Sequence, residues 1–245
     1  KDNLYVLNAL AAGAGGNTSV FITTNGVVVV DTKNPGWGQP LLEKIKTLTN
    51  KPVTMIINTH THGDHVSGNV EFPATVDVVT HVNTEANMKR MSPVSGFPTP
   101  ATPQPSIFER NGGRGLPKRS FTDRMSIGRG ADQIELFYFG RGHTNGDAWV
   151  LFPALRFVHA GDIFASSNGL PILDANNGGS GVEIADTQMK AHAALSGRAD
   201  SIITGHSTVM TFNDLRNFAT FNRQFLETMR AAKTQGRTVE QAAAA

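Results

Sequence analysis

The apolar positions of this chain switch between two periods. LYVLNAL (Leu4 to Leu10), SVFITT (Ser19 to Thr24) and GVVVVD (Gly26 to Asp31) are short, β-branched and bounded by turn residues, which predicts three strands. Asn25-Gly26 supplies a hairpin turn between the last two. GQPLLEKIKTLT (Gly38 to Thr49) then places Leu41, Leu42, Ile45 and Leu48 at helical spacing, and Pro52 restarts a strand that runs to Asn58. A short helix, a strand over Val76 to Thr80 and a helix near Glu85 to Met91 follow. Strands resume at Gln133 to Phe139, Asp147 to Phe152, Leu155 to Ala160 and Asp200 to Thr204, with helices at about Thr187 to Leu195 and Asn213 to Lys233. Between them, Ser92 to Ser120 holds six of the twelve prolines and reads as a long irregular loop. With Phe97, Phe108, Arg110, Arg114, Lys118 and Arg119 it is a candidate lid.

This alternation of strands and helices is α/β, and 245 residues with 39% hydrophobic content suit one domain spanning 1–245. The net charge is only +2 and no dense Lys/Arg run appears, so neither nucleic acid nor a membrane surface is an expected partner. No apolar stretch reaches the roughly 18 to 20 residues that span a bilayer, and a soluble protein is expected. The chain contains no cysteine, which excludes disulfides, thiolate zinc sites and cysteine nucleophiles together. It opens on Lys1 instead of Met. A removed export signal would fit that, which leaves a secreted or periplasmic protein and a cytoplasmic one both open.

The chemistry concentrates in THTHGDH, Thr59 to His65, directly after an apolar run. If the strand continues through Thr61, period-two geometry points His60 and His62 the same way. Gly63 then lets the chain turn and present Asp64 and His65 from another direction. Two ligands do not complete a zinc sphere, which usually has about four. Further candidates follow in Gly142-His143, Gly161-Asp162 and Gly205-His206, each a glycine and a ligand after a strand-like run. Strand ends are where sites assemble in open α/β sheets. His81, His159 and His192 lack a place in this grammar and read as packing residues, whereas Thr59, Thr61 and Thr144 flank ligands closely enough to hydrogen-bond them.

The order HxHxDH, then His143, Asp162 and His206, resembles the metallo-beta-lactamase superfamily of hydrolases from Leu4 to the last helix. The resemblance implies a four-layer αβ/βα sandwich of two mixed sheets with helices outside and a two-metal site at one sheet edge. It assigns His60, His62 and His143 to one zinc and Asp64, His65 and His206 to the other, with Asp162 bridging; Asp31 braces the metal loop. Two Zn²⁺ are the implied cofactors, and an all-His/carboxylate set also suits Fe or Mn. Such a pair lowers the pKa of bound water towards about 7, and Asp64 is placed to accept the proton and return it to the leaving group. The implied activity is hydrolysis of a small-molecule ester, lactone, amide or lactam. The alternatives are an iron-dependent persulfide dioxygenase of the same superfamily and a metal-binding protein without turnover. Only about 40 residues follow His206, so the glutathione-binding helical region of glyoxalase II is not expected. Asp162 stands where many zinc beta-lactamases carry Cys followed by Lys, and Ile163, Phe164 and Ala165 come next. Ser166, Ser167 and Asn168, just beyond, are candidate substrate contacts.

Overall fold

Four consecutive valines, Val27 to Val30, are all buried, which a strand achieves only when both faces of its sheet are covered. The computed structural model of the chain describes residues 2–8, 13–99, 102 and 104–244. Six strands form the first sheet in chain order: β1 (Leu4–Leu7), β2 (Thr18–Ile22), β3 (Val27–Val30), β4 (Val53–Ile57), β5 (Asp77–His81) and β6 (Arg119–Phe121). The first three are antiparallel neighbours and the rest run parallel. The second sheet holds β7 (Arg124–Ile127), β8 (Ile134–Phe137), β9 (Trp149–Phe152), β10 (Phe157–Gly161) and β11 (Ser201–Thr204), antiparallel except for the β10/β11 pair.

Alternation along β3 builds the layers. Val28 and Val30 point inward with Phe21, Ile57 and Val79 against Leu136, Val150 and Phe152 of the second sheet. Val27 and Val29 point outward onto Leu41 and Ile45 of α1 (Gly38–Leu48). The outer face of the second sheet, through Trp149, Leu151 and Ile202, packs on Leu195 and Leu215 of two helices numbered below. The result is helix, sheet, sheet, helix, the expected four-layer sandwich. The remaining helices are α2 (Gly63–Val66), α3 (Val82–Arg90), α4 (Ile107–Arg110), α5 (Ile184–Leu195), α6 (Phe212–Thr234) and α7 (Val239–Ala243). No helix among the described residues is long and apolar enough to cross a membrane.

The differences from the sequence reading have physical causes. Ala9 and Leu10 of the first expected strand lie outside the described residues. β6 and β7 were not expected because each is a short, Arg-bearing edge strand with only partial burial, where a core pattern has little reason to appear. α4 interrupts the supposed irregular loop and is announced by a capping box of Ser106 and Glu109. A like box of Thr238 and Gln241 opens α7. β4 stops at Ile57, so the cluster lies wholly beyond the strand.

α2 runs into a 3₁₀ turn, Ser67–Glu71, that seats its backbone directly on Thr32 and Lys33. A Cβ on Gly68 would lie 2.1 Å from the Thr32 carbonyl oxygen. Backbone cannot yield as a side-chain tip can, so Gly68→Ala is expected to cost about 1 to 3 kcal/mol of stability. Urea unfolding measures it, and an unchanged midpoint would contradict this contact.

Candidate metal centre

Although β4 has ended, His62 keeps extended backbone (φ −67°, ψ 145°) before α2 begins, and the Ala148 amide donates to the Thr59 carbonyl at 2.8 Å. The His60 and His62 rings consequently converge, with centroids 4.8 Å apart, as the period-two reading required. α2 then carries Asp64 and His65 round to the other side. The second sheet delivers the remaining groups: His143 from the β8–β9 connection, Asp162 directly after β10 and His206 two residues after β11. Gly161 has φ +57°, which its Cβ-free backbone tolerates, and a Cβ on Gly205 would stand 1.8 Å from Asp162 Oδ1. Glycine at these two strand ends therefore serves a turn in one case and close approach in the other.

All seven expected residues meet. One ligand atom from each of His60, His62, His143 and Asp162 falls within 4.8 Å of the others, and the same holds for Asp64, His65 and His206. Asp162 touches both groups: Oδ1 is 3.2 Å from His65 Nε2, while Oδ2 is 3.2 Å from His206 Nε2, 3.7 Å from His143 Nε2 and 3.9 Å from His60 Nε2.

Outer hydrogen bonds aim the rings. His65 Nδ1 meets Asp31 Oδ2 at 2.7 Å, His62 Nε2 meets Asp174 Oδ2 at 2.7 Å, and His143 Nδ1 donates to the Ile172 carbonyl at 2.7 Å. With their protons outward, the opposite nitrogens of His62 and His143 present lone pairs inward. His62 Nδ1 and His143 Nε2 then face each other at 3.0 Å, and the buried His60 Nε2 has no hydrogen-bond partner. Neutral imidazoles converging in this way need a proton or a cation between them. A metal ion supplies that, and the donor set of imidazole and carboxylate fits one.

The electrostatics agree. Burial, with His65 adding to it, holds His60 well below the usual histidine range, and burial with His62 pushes His143 down to about 4. Burial opposes charge on His65 too, but Asp162, Asp64 and Asp31 outweigh it and hold it well above the usual range. His206 is likewise raised to about 9 against its burial, by hydrogen bonds to Asp162 and Asp64. Burial would raise Asp64, yet His65 and His206 bring it down to about 2. The floor of the site is thus ionised carboxylate that favours positive charge.

Asp31 also lies within reach of His60 and His65, but its oxygens are committed to the Thr59 amide (2.8 Å), the Thr59 hydroxyl (2.7 Å) and His65, so it braces the loop from behind. Thr59 also lies 3.0 Å from His60 Nδ1. Thr61 donates to the Met91 sulfur, and Thr144 donates to Asp147, a carboxyl that burial pushes up to about 7. His81 caps α3 and stacks on Tyr138, His159 bonds Ser19, and His192 sits edge-on to Phe212. Ser166, Ser167 and Asn168 do not line the cavity over the site; Ser167 faces a separate groove beside α6. Phe97 does line it, whereas Phe108 is buried with Val66, Val70 and Met88, and the loop's Arg114 and Lys118 bond backbone carbonyls elsewhere. Two residues had no sequence signal. Asp174 is a lone carboxylate in a Gly/Asn-rich loop, 112 residues from His62. Lys33 is buried with its ammonium on the carbonyls of Gly16 (2.6 Å), Leu7 and Asn8.

Residues 12–206 match the family model described as the Metallo-beta-lactamase superfamily. Metallo-beta-lactamase type 2 of Elizabethkingia meningoseptica is 27% identical over 179 residues, and metallo-beta-lactamase IND-1 of Chryseobacterium indologenes is 25% identical over 180. Each match covers 69% of this chain but only 61% and 64% of the relative, so the chain spans less than two thirds of their lengths. Among solved structures, a metallo-beta-lactamase from Pontibacter korlensis is similar with a TM-score of 0.68 at 18% identity, covering 90% of this chain and 93% of that one. The DIM-1 metallo-beta-lactamase gives 0.68 at 16%, covering 91% and 94%. The family match takes in every one of the seven converging residues, from His60 to His206, and the solved structures share the two-sheet architecture that brings them together. The chain belongs to the metallo-beta-lactamase superfamily.

Proposed function

We propose that this protein is a zinc-dependent hydrolase with a dinuclear site, cleaving a small ester, lactone, amide or lactam. The observation that carries the reading is Asp162, whose two oxygens reach both ligand groups beneath an open cavity of about 890 Å³. His60, His62 and His143 would hold one ion, Asp64, His65 and His206 the other, and Asp162 both. When bound, zinc supplies Lewis acidity and a water of lowered pKa. Asp64 lines the cavity, is ionised at neutral pH and would accept the water's proton and return it to the leaving group. Asp31, Asp174 and the Ile172 carbonyl keep the rings aimed while this happens. The donor set, all imidazole and carboxylate, suits zinc and also accommodates iron or manganese, so metal analysis decides among them.

Two outcomes follow. Metal analysis of the purified protein is expected to find about two zinc ions per chain, with Asp162→Ala losing at least one and lowering ester or lactone hydrolysis by about 10²-fold or more. His192→Ala should change neither. A single iron with no hydrolysis, or an Asp162→Ala variant with full metal and rate, would overturn the reading. Asp174→Asn, which weakens the bond that aims His62, is expected to lower zinc affinity about 10- to 100-fold in a chelator competition. An unchanged affinity would remove Asp174 from the site's support.

A further inference from the structure

The cavity that Asp64, Asp162 and His206 line carries an apolar lining of Met91, Val94, Phe97, Pro98 and Ile172, which forms its apolar wall. Phe97 is 56% exposed and Ile172 43% exposed, so both present apolar surface to the opening. Leaving such surface in water is unfavourable, and a contiguous apolar lining beside polar catalytic groups is how small-molecule sites are commonly built.

This wall is held in position. The Ser95 amide donates to Asp174 Oδ1 at 3.0 Å, and the Ser95 hydroxyl donates to the Leu173 carbonyl at 3.0 Å and accepts from the Ala175 amide at 2.8 Å. Asn176 Nδ2 donates to the Pro93 carbonyl at 2.9 Å and Asn177 Nδ2 to the Ser92 carbonyl at 3.3 Å. Asp174 is the same carboxylate whose other oxygen aims His62. One side chain thereby fixes the distance between the apolar wall and the ligand cluster. Apart from histidines, the basic residue lining the cavity among the described residues is Arg90, and its guanidinium is engaged with Asn87 Oδ1 at 2.7 Å.

Resting on the hydrolase reading, we infer that Met91, Val94, Phe97 and Ile172 form an acyl-binding surface, and that the substrates are esters or lactones whose acyl part is an unbranched apolar chain or a comparable apolar group. Phe97 is a specificity-determining residue in this arrangement. The wall offers dispersion and desolvation but little charge, so a substrate that depends on a carboxylate grip gains less from it.

The test uses the zinc-loaded protein and p-nitrophenyl esters from acetate to octanoate. kcat/KM is expected to rise about 2- to 4-fold per methylene until the wall is covered, the upper bound being full burial of each group. Phe97→Ala should flatten that rise, whereas His192→Ala on α5, which does not line the cavity, should leave both the rise and the acetate rate unchanged. Acetate turned over with no rise along the series would overturn the inference and leave the hydrolase reading standing. A chromogenic cephalosporin outpacing the octanoate ester would also overturn it. Calorimetric binding of octanoate and acetate to metal-free protein reads the wall without turnover. Octanoate is expected to bind at least about 10-fold more tightly, and equal affinities would sink the acyl surface even if hydrolysis is confirmed. Tighter octanoate binding with no hydrolysis of any ester, lactone, amide or chromogenic cephalosporin would instead retain the surface and remove the hydrolase reading on which its substrate assignment rests.

Discussion

A carboxylate with no exposure to solvent must find its hydrogen bonds inside the protein or forfeit several kcal/mol of hydration, and Asp31 is that group here. It sits at the end of β3 in the left-handed region, φ +61°, where a non-glycine residue is strained. From there it bonds the Thr59 amide and hydroxyl at the exit of β4 and His65 at the heart of α2. Three segments are thus tied to one carboxylate, which aims His65 directly and fixes the Thr59 backbone from which His60 follows. Thr32, next in the chain, adds its own amide bond to the His65 carbonyl at 2.7 Å. The backbone strain at Asp31 is tolerated because the surrounding bonds leave it no alternative.

The second sheet is locked to this assembly through the glycine segment before β2. Lys33 draws the Gly16 carbonyl onto its buried ammonium, Gly16 packs where a Cβ would stand 2.1 Å from His65, and Asn17 donates to the carbonyls of Thr204 and Ser207 beside His206. Burial lowers Lys33 to about 8, opposed by Asp31 and Asp64, so the cation is retained close to neutrality by carbonyls and nearby acids. Ligands from two sheets therefore share a frame in which neither moves alone.

Much of this was legible because the signals are local. Fully buried strands such as β3 read as continuous apolar runs, and ligands that follow a glycine at a strand end stand out in any sequence. Edge strands β6 and β7 carry no such signature, since one flank of each has no neighbouring strand and the residues there answer to solvent. Phe97 and Phe108 looked alike in a proline-rich stretch, yet the capping box of α4 turns Phe108 into a core while Phe97 faces the cavity. Asp174 was invisible for a different reason: its role exists only once a loop 112 residues away lies against it.

The proposed hydrolysis requires a pair of ions flanking Asp162, and anomalous diffraction from crystals grown with zinc, recorded on either side of the zinc absorption edge, locates them directly. Two peaks about 3.5 to 4 Å apart, one among His60, His62 and His143 and the other among Asp64, His65 and His206, with Asp162 between them, are expected. A single peak, or one seated between Asp31 and His65, would contradict it.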